Sequence, residues 1–225
     1  MLVPAMDLMA GKIVQLVQGE KKALEFLDPE PWIERFASFP LVHLIDLDAA
    51  KRSGNNRAIV ERLLQKLPCQ VGGGIGTLED ARALLDDGAR SVILGSALVC
   101  EGRVNLKLAQ ELADALGPER LVFAVDARRG KVTTDAWRGE TQLTPENMMR
   151  ELEPWCGAFL YTHVDGEGLM QGLPLDIVRG LRNATSRRLF VAGGIASLDE
   201  VSELSKMGAD AVVGMALYTG RLRES

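Results

Sequence analysis

Asp7 and Asp126 each close a short apolar run, Leu2–Met6 and Leu121–Val125. A carboxylate ending a buried strand can hold or pass a proton. His163 and Glu167 lie at and just beyond another such run, in Thr162-His-Val-Asp-Gly-Glu-Gly168. Histidine titrates near neutrality and can share proton transfer, although a hydrogen-bonded structural role fits His163 equally well. A second chemistry is written in glycine. Gly72-Gly-Gly74-Ile-Gly76 precedes Thr77-Leu-Glu-Asp80, and Gly193-Gly194-Ile-Ala precedes Ser197-Leu-Asp-Glu200, so each turn runs into a start that resembles a capping box. Two further runs end in Gly95-Ser96 and Gly214-Met215. Glycine admits a ligand close to backbone N–H groups, and a helix N-terminus favours an anion. Gly73, Gly74, Gly95, Ser96, Gly193, Gly194, Gly214 and Met215 are therefore candidate phosphate contacts, with Thr162 beside them at a strand end. Glycine marks turns more often than ligands, so tight packing is the competing reading. A dinucleotide fingerprint fails, because Thr77 stands where its third glycine belongs. Trp137 sits in a long loop, where an indole can stack on a flat ring or simply pack. His43, inside an apolar run, reads as core; Lys12 and Lys131, each after glycine, read as surface turns.

The elements that must position these groups follow from hydrophobic patterning. Strand-like runs occupy Leu2–Met6, Leu41–Ile45, Cys69–Val71, Ser91–Leu94, Leu121–Val125, Ala158–Thr162, Leu189–Ala192 and Ala211–Val213. Helical patterns fall at Pro31–Ser38, Arg57–Lys66, Leu78–Asp87, Leu106–Leu116, Pro145–Glu153, Leu175–Asn183 and Leu198–Met207. Continuously apolar strands alternating with helices imply a parallel sheet covered on both faces, and eight such units close a barrel. No linker divides residues 1–225, so one α/β domain with a (βα)8 TIM-barrel fold is expected. Val71-Gly-Gly-Gly-Ile75 recurs as Val191-Ala-Gly-Gly-Ile195, 120 positions later, and Ala5-Met-Asp7 recurs as Ala124-Val-Asp126. The chain thus reads as two repeated (βα)4 half-barrels. Strand parity then turns Val3, Ala5 and Asp7 inward with Val122, Ala124 and Asp126, placing the two carboxylates on opposite walls of the mouth. Paired glycine turns on opposite walls predict a small-molecule ligand with a phosphate at each end.

Composition excludes other classes. The chain is 47% hydrophobic and 25% charged with net charge −5, ordinary for a soluble globular protein and wrong for gripping a nucleic-acid backbone. Cys69, Cys100 and Cys156 are far apart, which suits small buried hydrophobes in a reducing compartment better than bridges. With two histidines and no ligand spacing, no metal site is expected. Asp7 comes too early for a signal peptide, and no apolar run approaches a membrane span. A cytoplasmic protein without membrane or nucleic-acid partners, and a monomer, is expected.

These residues resemble the phosphoribosylformimino-5-aminoimidazole carboxamide ribotide isomerases of histidine biosynthesis, the HisA family. The resemblance runs through Pro4-Ala-Met-Asp7, Gln70-Val-Gly-Gly-Gly74, Val125-Asp126, Tyr161-Thr-His-Val-Asp-Gly-Glu-Gly-Leu-Met170, Gly193-Gly194 and Gly214-Met-Ala-Leu-Tyr218. It implies an Amadori rearrangement of an aminoaldose to an aminoketose on a substrate with two phosphates, by acid–base chemistry without a cofactor. It makes Asp7 the base at C2 and Asp126 the acid or a substrate anchor. Some relatives place the acid in the loop after the sixth strand, where Glu167 aligns. This chain departs from relatives at Gly76, often Arg, and in the short segment Arg221–Ser225, which leaves room for only part of a closing helix. Alternatives are a dual enzyme that also isomerises phosphoribosylanthranilate, and the sister cyclase, whose first loop has Lys where this chain has Gln15. A glycosidase is disfavoured by only 5% aromatic residues, and a silent phosphate-binding protein by the intact aspartates.

Overall fold

The computed structural model describes residues 1–222. The apolar runs form strands β1 (Leu2–Met9), β2 (Val42–Asp46), β3 (Cys69–Gly72), β4 (Ser91–Leu94), β5 (Leu121–Arg128), β6 (Ala158–His163), β7 (Arg188–Ala192) and β8 (Ala209–Val213). Helices α1 (Glu30–Phe36), α2 (Arg57–Leu64), α3 (Leu78–Asp86), α4 (Leu106–Leu116), α5 (Pro145–Leu152), α6 (Leu175–Ala184) and α7 (Leu198–Lys206) follow β1 to β7 in turn. A single short turn of helix, Met215–Tyr218, follows β8. Its expected continuation reaches residues 223–225, which lie outside the described residues. Each strand pairs in parallel with the next, and β8 returns to β1, so the sheet closes as an eight-stranded (βα)8 barrel.

Alternation along the strands sorts side chains into two cores. Val3, Ala5, Val122, Ala124, Leu160, Phe190 and Val212 fill the lumen. Met6, Leu8, Phe123, Val125, Phe159 and Tyr161 pack outward against the helices. The inward set also carries His43, Gln70 and Thr162, so a one-residue slip would turn these polar side chains into the apolar helix-facing core. Cys69 and Cys156 are buried as expected, but Cys100 is exposed, because it sits in a small hairpin beyond β4 rather than in a core; all three are free.

The segments that follow β1 and β5 are partly sheet, including the one holding Trp137 that reads as a long loop in the sequence. Lys12–Val17 turns back antiparallel to β1 and pairs with Lys21–Phe26. Lys131–Thr134 turns back on β5 and pairs with Gly139–Glu140. The reversals are two-residue turns, Ala10-Gly11 and Arg129-Gly130, with φ of 50° and 76° in the first and 51° and 73° in the second. Positive φ at both central residues gives the twist that strand hairpins prefer. Each turn is tied to the next barrel unit in the same way: Ala10 N donates to Asp48 Oδ2 at 2.6 Å, and Arg129 N to Asp165 Oδ2 at 2.7 Å. Among the described residues no helix is long and apolar enough to cross a membrane.

Candidate active site

Extension of β1 and β5 past the barrel rim builds walls around a cavity of about 610 Å3 at the C-terminal ends of the strands. That is the end at which barrels of this fold carry ligands. Asp7 and Asp126 line it from β1 and β5, Thr162 from β6, and Glu167 from the loop beyond β6. Gly73, Gly74, Gly95, Ser96, Gly193, Gly194, Gly214, Met215 and Trp137 complete its wall. The sequence-predicted residues therefore converge, with one exception. His163 has the outward parity of Phe159 and Tyr161, does not line the cavity, and has its Nδ1 3.5 Å from the Tyr161 hydroxyl. The strand's last inward side chain is Thr162, one residue earlier.

The three carboxyl groups differ in what surrounds them. Burial in the cavity wall disfavours the charged form and pushes Asp7 up to about 7, with the Lys51 ammonium partly offsetting this. Glu167 is pushed up to about 8, first by burial and then by the charges of Asp7 and Asp126. Its carboxylate has no hydrogen-bond donor among the described residues. Burial also raises Asp126, but Trp137 Nε1 donates to its Oδ2 at 2.8 Å, and the Thr162 side chain adds a second bond. The Trp137 and Thr162 donors favour the ionised form of Asp126 and oppose the rise that burial causes, whereas no donor offsets the rise at Glu167. The three do not converge into a metal-ligating group among the described residues.

Trp137 reaches Asp126 from a strained tip. Asp135, Ala136 and Trp137 have φ of 53°, 51° and 69°, a left-handed run that costs non-glycine residues about 1–3 kcal/mol each. Arg128 Nη1 holds the Trp137 carbonyl at 3.3 Å, and Asp135 N donates to Ser96 Oγ at 2.8 Å. The indole lies directly on Gly19 in the first hairpin, where a Cβ would meet its Cε3 at 2.7 Å. Gln18 N of that hairpin donates to the Glu167 carbonyl at 3.1 Å, so both hairpins and the β6 loop interlock over the acids.

The glycines divide into two kinds. Gly73 (φ 111°) and Gly193 (φ 100°) run so close to a neighbouring strand end that a Cβ would fall 2.2 Å from the Asp46 carbonyl oxygen and 2.3 Å from that of His163. Tight packing is thus a full reason for glycine at those two positions. The helix starts beyond them are already satisfied: Thr77 and Asp80 form a reciprocal capping box, and Glu200 Oε2 accepts from Ala196 N at 3.0 Å. An arriving anion therefore finds little at α3 or α7. Gly95 and Gly214 are different. They share an unusual backbone (φ −125°, ψ −92° and φ −106°, ψ −94°), begin the short helical turns Ser96–Leu98 and Met215–Tyr218, and have no side-chain cap.

Sequence reasoning missed part of the wall. Lys51 and Arg52 line the cavity just after the short helix Leu47–Ala50, and Gln15 lies buried against Gly214 with Nε2 donating to the Val14 carbonyl at 2.9 Å. His43 is buried as expected, yet it faces the lumen floor, where Gln70 Nε2 lies 3.1 Å from its Nδ1 and burial lowers it to about 4. The inward parity of His43 and Gln70 was the available signal.

A closed parallel barrel, with acids on its central walls and glycine turns around them, defines a (βα)8 protein with its ligand cavity at the C-terminal mouth. The chain belongs to the histidine biosynthesis protein family, whose family model matches residues 1–223. It is 36% identical over 226 residues to a protein of Methanocaldococcus jannaschii, covering 97% of this chain and 94% of that one. A protein of Methanosphaera stadtmanae is 36% identical over 229 residues, with the same 97% and 94% coverage. One from Methanosarcina acetivorans is 38% identical over 234 residues, covering 98% of this chain and 93% of the relative. Each of the three is named a 1-(5-phosphoribosyl)-5-((5-phosphoribosylamino)methylideneamino)imidazole-4-carboxamide isomerase.

Proposed function

We propose that this chain is an isomerase of histidine biosynthesis, converting a bis-phosphorylated N-ribosyl aminoimidazole carboxamide from its aminoaldose to its aminoketose form. The observation that carries the proposal is the pair of raised carboxyl groups, Asp7 and Glu167, in one cavity whose third carboxylate, Asp126, is held by Trp137. The reaction needs a proton given and a proton taken at about neutral pH, and burial sets both groups there.

The rearrangement proceeds without net gain or loss of electrons. Glu167 gives its proton to the ribose ring oxygen as the C1–O bond breaks, and the attached nitrogen's lone pair forms the C1=N bond. Asp7 then removes the C2 proton, and the electron pair moves to give the enaminol. Loss of the enol O–H proton with protonation at C1 leaves the C2 ketone. Asp126, fixed by the indole, orients the sugar hydroxyls. The uncapped turns at Gly95 and Gly214 offer N–H groups to a phosphate at each end of the substrate. His163, outside the cavity wall, has no part in these steps. Three free cysteines, two of them buried, agree with work in the reducing cytoplasm.

The test is turnover by the purified chain. Steady-state conversion of the aminoaldose to the aminoketose is expected, and its loss in Asp7→Asn. Absence of turnover in phosphate-free buffer would refute the assignment. Phosphoribosylanthranilate in a parallel assay asks whether the smaller substrate is also taken.

A further inference from the structure

The charges on the cavity wall are unevenly placed. Asp7, Asp126, Asp135 and Glu167 line it, and the cations on the same wall are Lys51 and Arg52. Both cations follow the helix Leu47–Ala50, beside the glycine turn after β3. The opposite turn, Gly193–Gly194 with Gly214, has no lysine or arginine among the lining residues. The Lys51 ammonium is engaged, with Nζ donating to the Gly19 carbonyl at 3.2 Å. The guanidinium of Arg52 makes no hydrogen bond or ion pair among the described residues. Its backbone is left-handed, φ 56°, where glycine would be at ease and arginine is not. Its N–H donates at 3.1 Å to the Ala49 carbonyl. That same oxygen lies 2.7 Å from the place a Cβ on Gly74 would occupy. Arg52 is thus anchored one hydrogen bond from the first glycine turn, in a conformation that local sequence preference does not favour. This left-handed residue closes the helix Leu47–Ala50 just after its C-cap Lys51, which leaves the unpaired guanidinium of Arg52 on the cavity wall beside that turn.

We infer that Arg52 is the phosphate-binding cation of the β3–β4 end of the cavity, so that the two ends hold their phosphates by different means. One end uses a guanidinium, which suits a phosphate monoester's paired oxygens. The other uses backbone N–H groups alone. The inference rests on the two-phosphate ligand of the proposed function, but it predicts binding of a simpler probe.

Inorganic phosphate is that probe, read by calorimetry at low and high salt and by its position in soaked crystals of the full chain. The unaltered chain is expected to bind phosphate at both ends, with the β3–β4 site the more salt-sensitive. Arg52→Gly removes the charge while relieving the backbone, so the melting temperature should hold or rise. It should weaken phosphate at the β3–β4 site by roughly tenfold or more and leave the Gly214 site filled. Arg52→Lys should restore part of the loss. With the aminoaldose substrate, Arg52→Gly should raise KM far more than it lowers kcat. Unchanged phosphate affinity and position in a folded Arg52→Gly variant would overturn the inference, as would an unaltered chain whose β3–β4 site takes no phosphate. Should the unaltered chain bind phosphate as described yet fail to turn over the aminoaldose, the functional assignment falls and the role of Arg52 stands.

Discussion

At the scale of single residues, the site is defined by three carboxyl groups whose surroundings push them apart in behaviour. Asp7 must be ionised to take a proton, so kcat/KM should rise as pH climbs through about 7. Glu167 must be protonated to give one, so kcat/KM should fall as pH passes about 8. A narrow bell between those limbs is expected from a pH series. Asp7→Asn should abolish the rising limb and lower kcat by roughly 10²-fold or more, with KM little changed. Near-normal turnover in that variant would remove Asp7 from the chemistry. The same shifts bear on stability, with the opposite benefit. Both groups hold protons in the folded chain at pH values where the unfolded chain, near its ordinary values of 3.8 and 4.5, has released them. The folded state therefore binds more protons, and stability falls as pH rises between those values and about 8. Glu167→Gln has no such proton to lose, so its melting temperature should exceed that of the unaltered chain by a margin that grows from about pH 5 to about pH 9. A margin independent of pH would mean that the folded structure does not perturb Glu167.

At the scale of elements, much was legible and the missing part has a simple cause. The eight barrel strands and seven helices lie within three residues of the boundaries set by hydrophobic period, because both faces of each strand are buried and little competes with that pattern. The hairpins on β1 and β5 were not legible as strands. Their outer segments, such as Lys21–Phe26, are largely exposed and carry Lys and Glu, and the alternation is confined to Leu24 and Phe26, too short a stretch to read as a strand. The signal that remained was the turn itself, Ala10-Gly11 and Arg129-Gly130, which period counting passes over. Convergence of Asp7 with Asp126 followed from parity. Exclusion of His163 follows from the same parity, applied one residue further. These hairpins bear directly on function, since Trp137 hangs from one and rests on the other. Trp137→Phe keeps the packing on Gly19 but removes the 2.8 Å bond to Asp126. It should lower kcat/KM by about tenfold or more, the scale of one hydrogen bond to a charged group, about 1.5–3 kcal/mol. The uncapped turn after β8 gives a separate test. A Cβ in Gly214→Ala would meet the Gln15 Oε1 at 2.5 Å, the mobile end of a side chain rather than backbone, so folding should survive. KM should rise by roughly tenfold as the backbone is shielded from phosphate, while kcat holds. An unchanged KM would leave Gly214 with a packing role only.

At the scale of the whole molecule, closure gives each of the eight barrel strands a partner on both sides, so neither half of the barrel can separate without exposing two new sheet edges. Matched turns, matched aspartate ties and matched glycine contacts in the two halves raise the question of whether they also open separately. The cysteines can answer it. Cys69 lies in β3 and Cys156 just before β6, both fully buried, and burial pushes each thiol up to about 12. Cys100 is exposed and serves as an internal control. A thiol reagent should modify Cys100 at once in the folded chain and reach the other two only through opening. If β1 with β8 and β4 with β5 part only together, Cys69 and Cys156 will report the same opening free energy and the same dependence on denaturant. A difference of about tenfold in their protection, roughly 1.4 kcal/mol, would mean that one half opens while the other stays closed. Equal protection is expected, because opening either half alone would strip four strands of partners at both seams and flood the shared lumen around Phe190 with water.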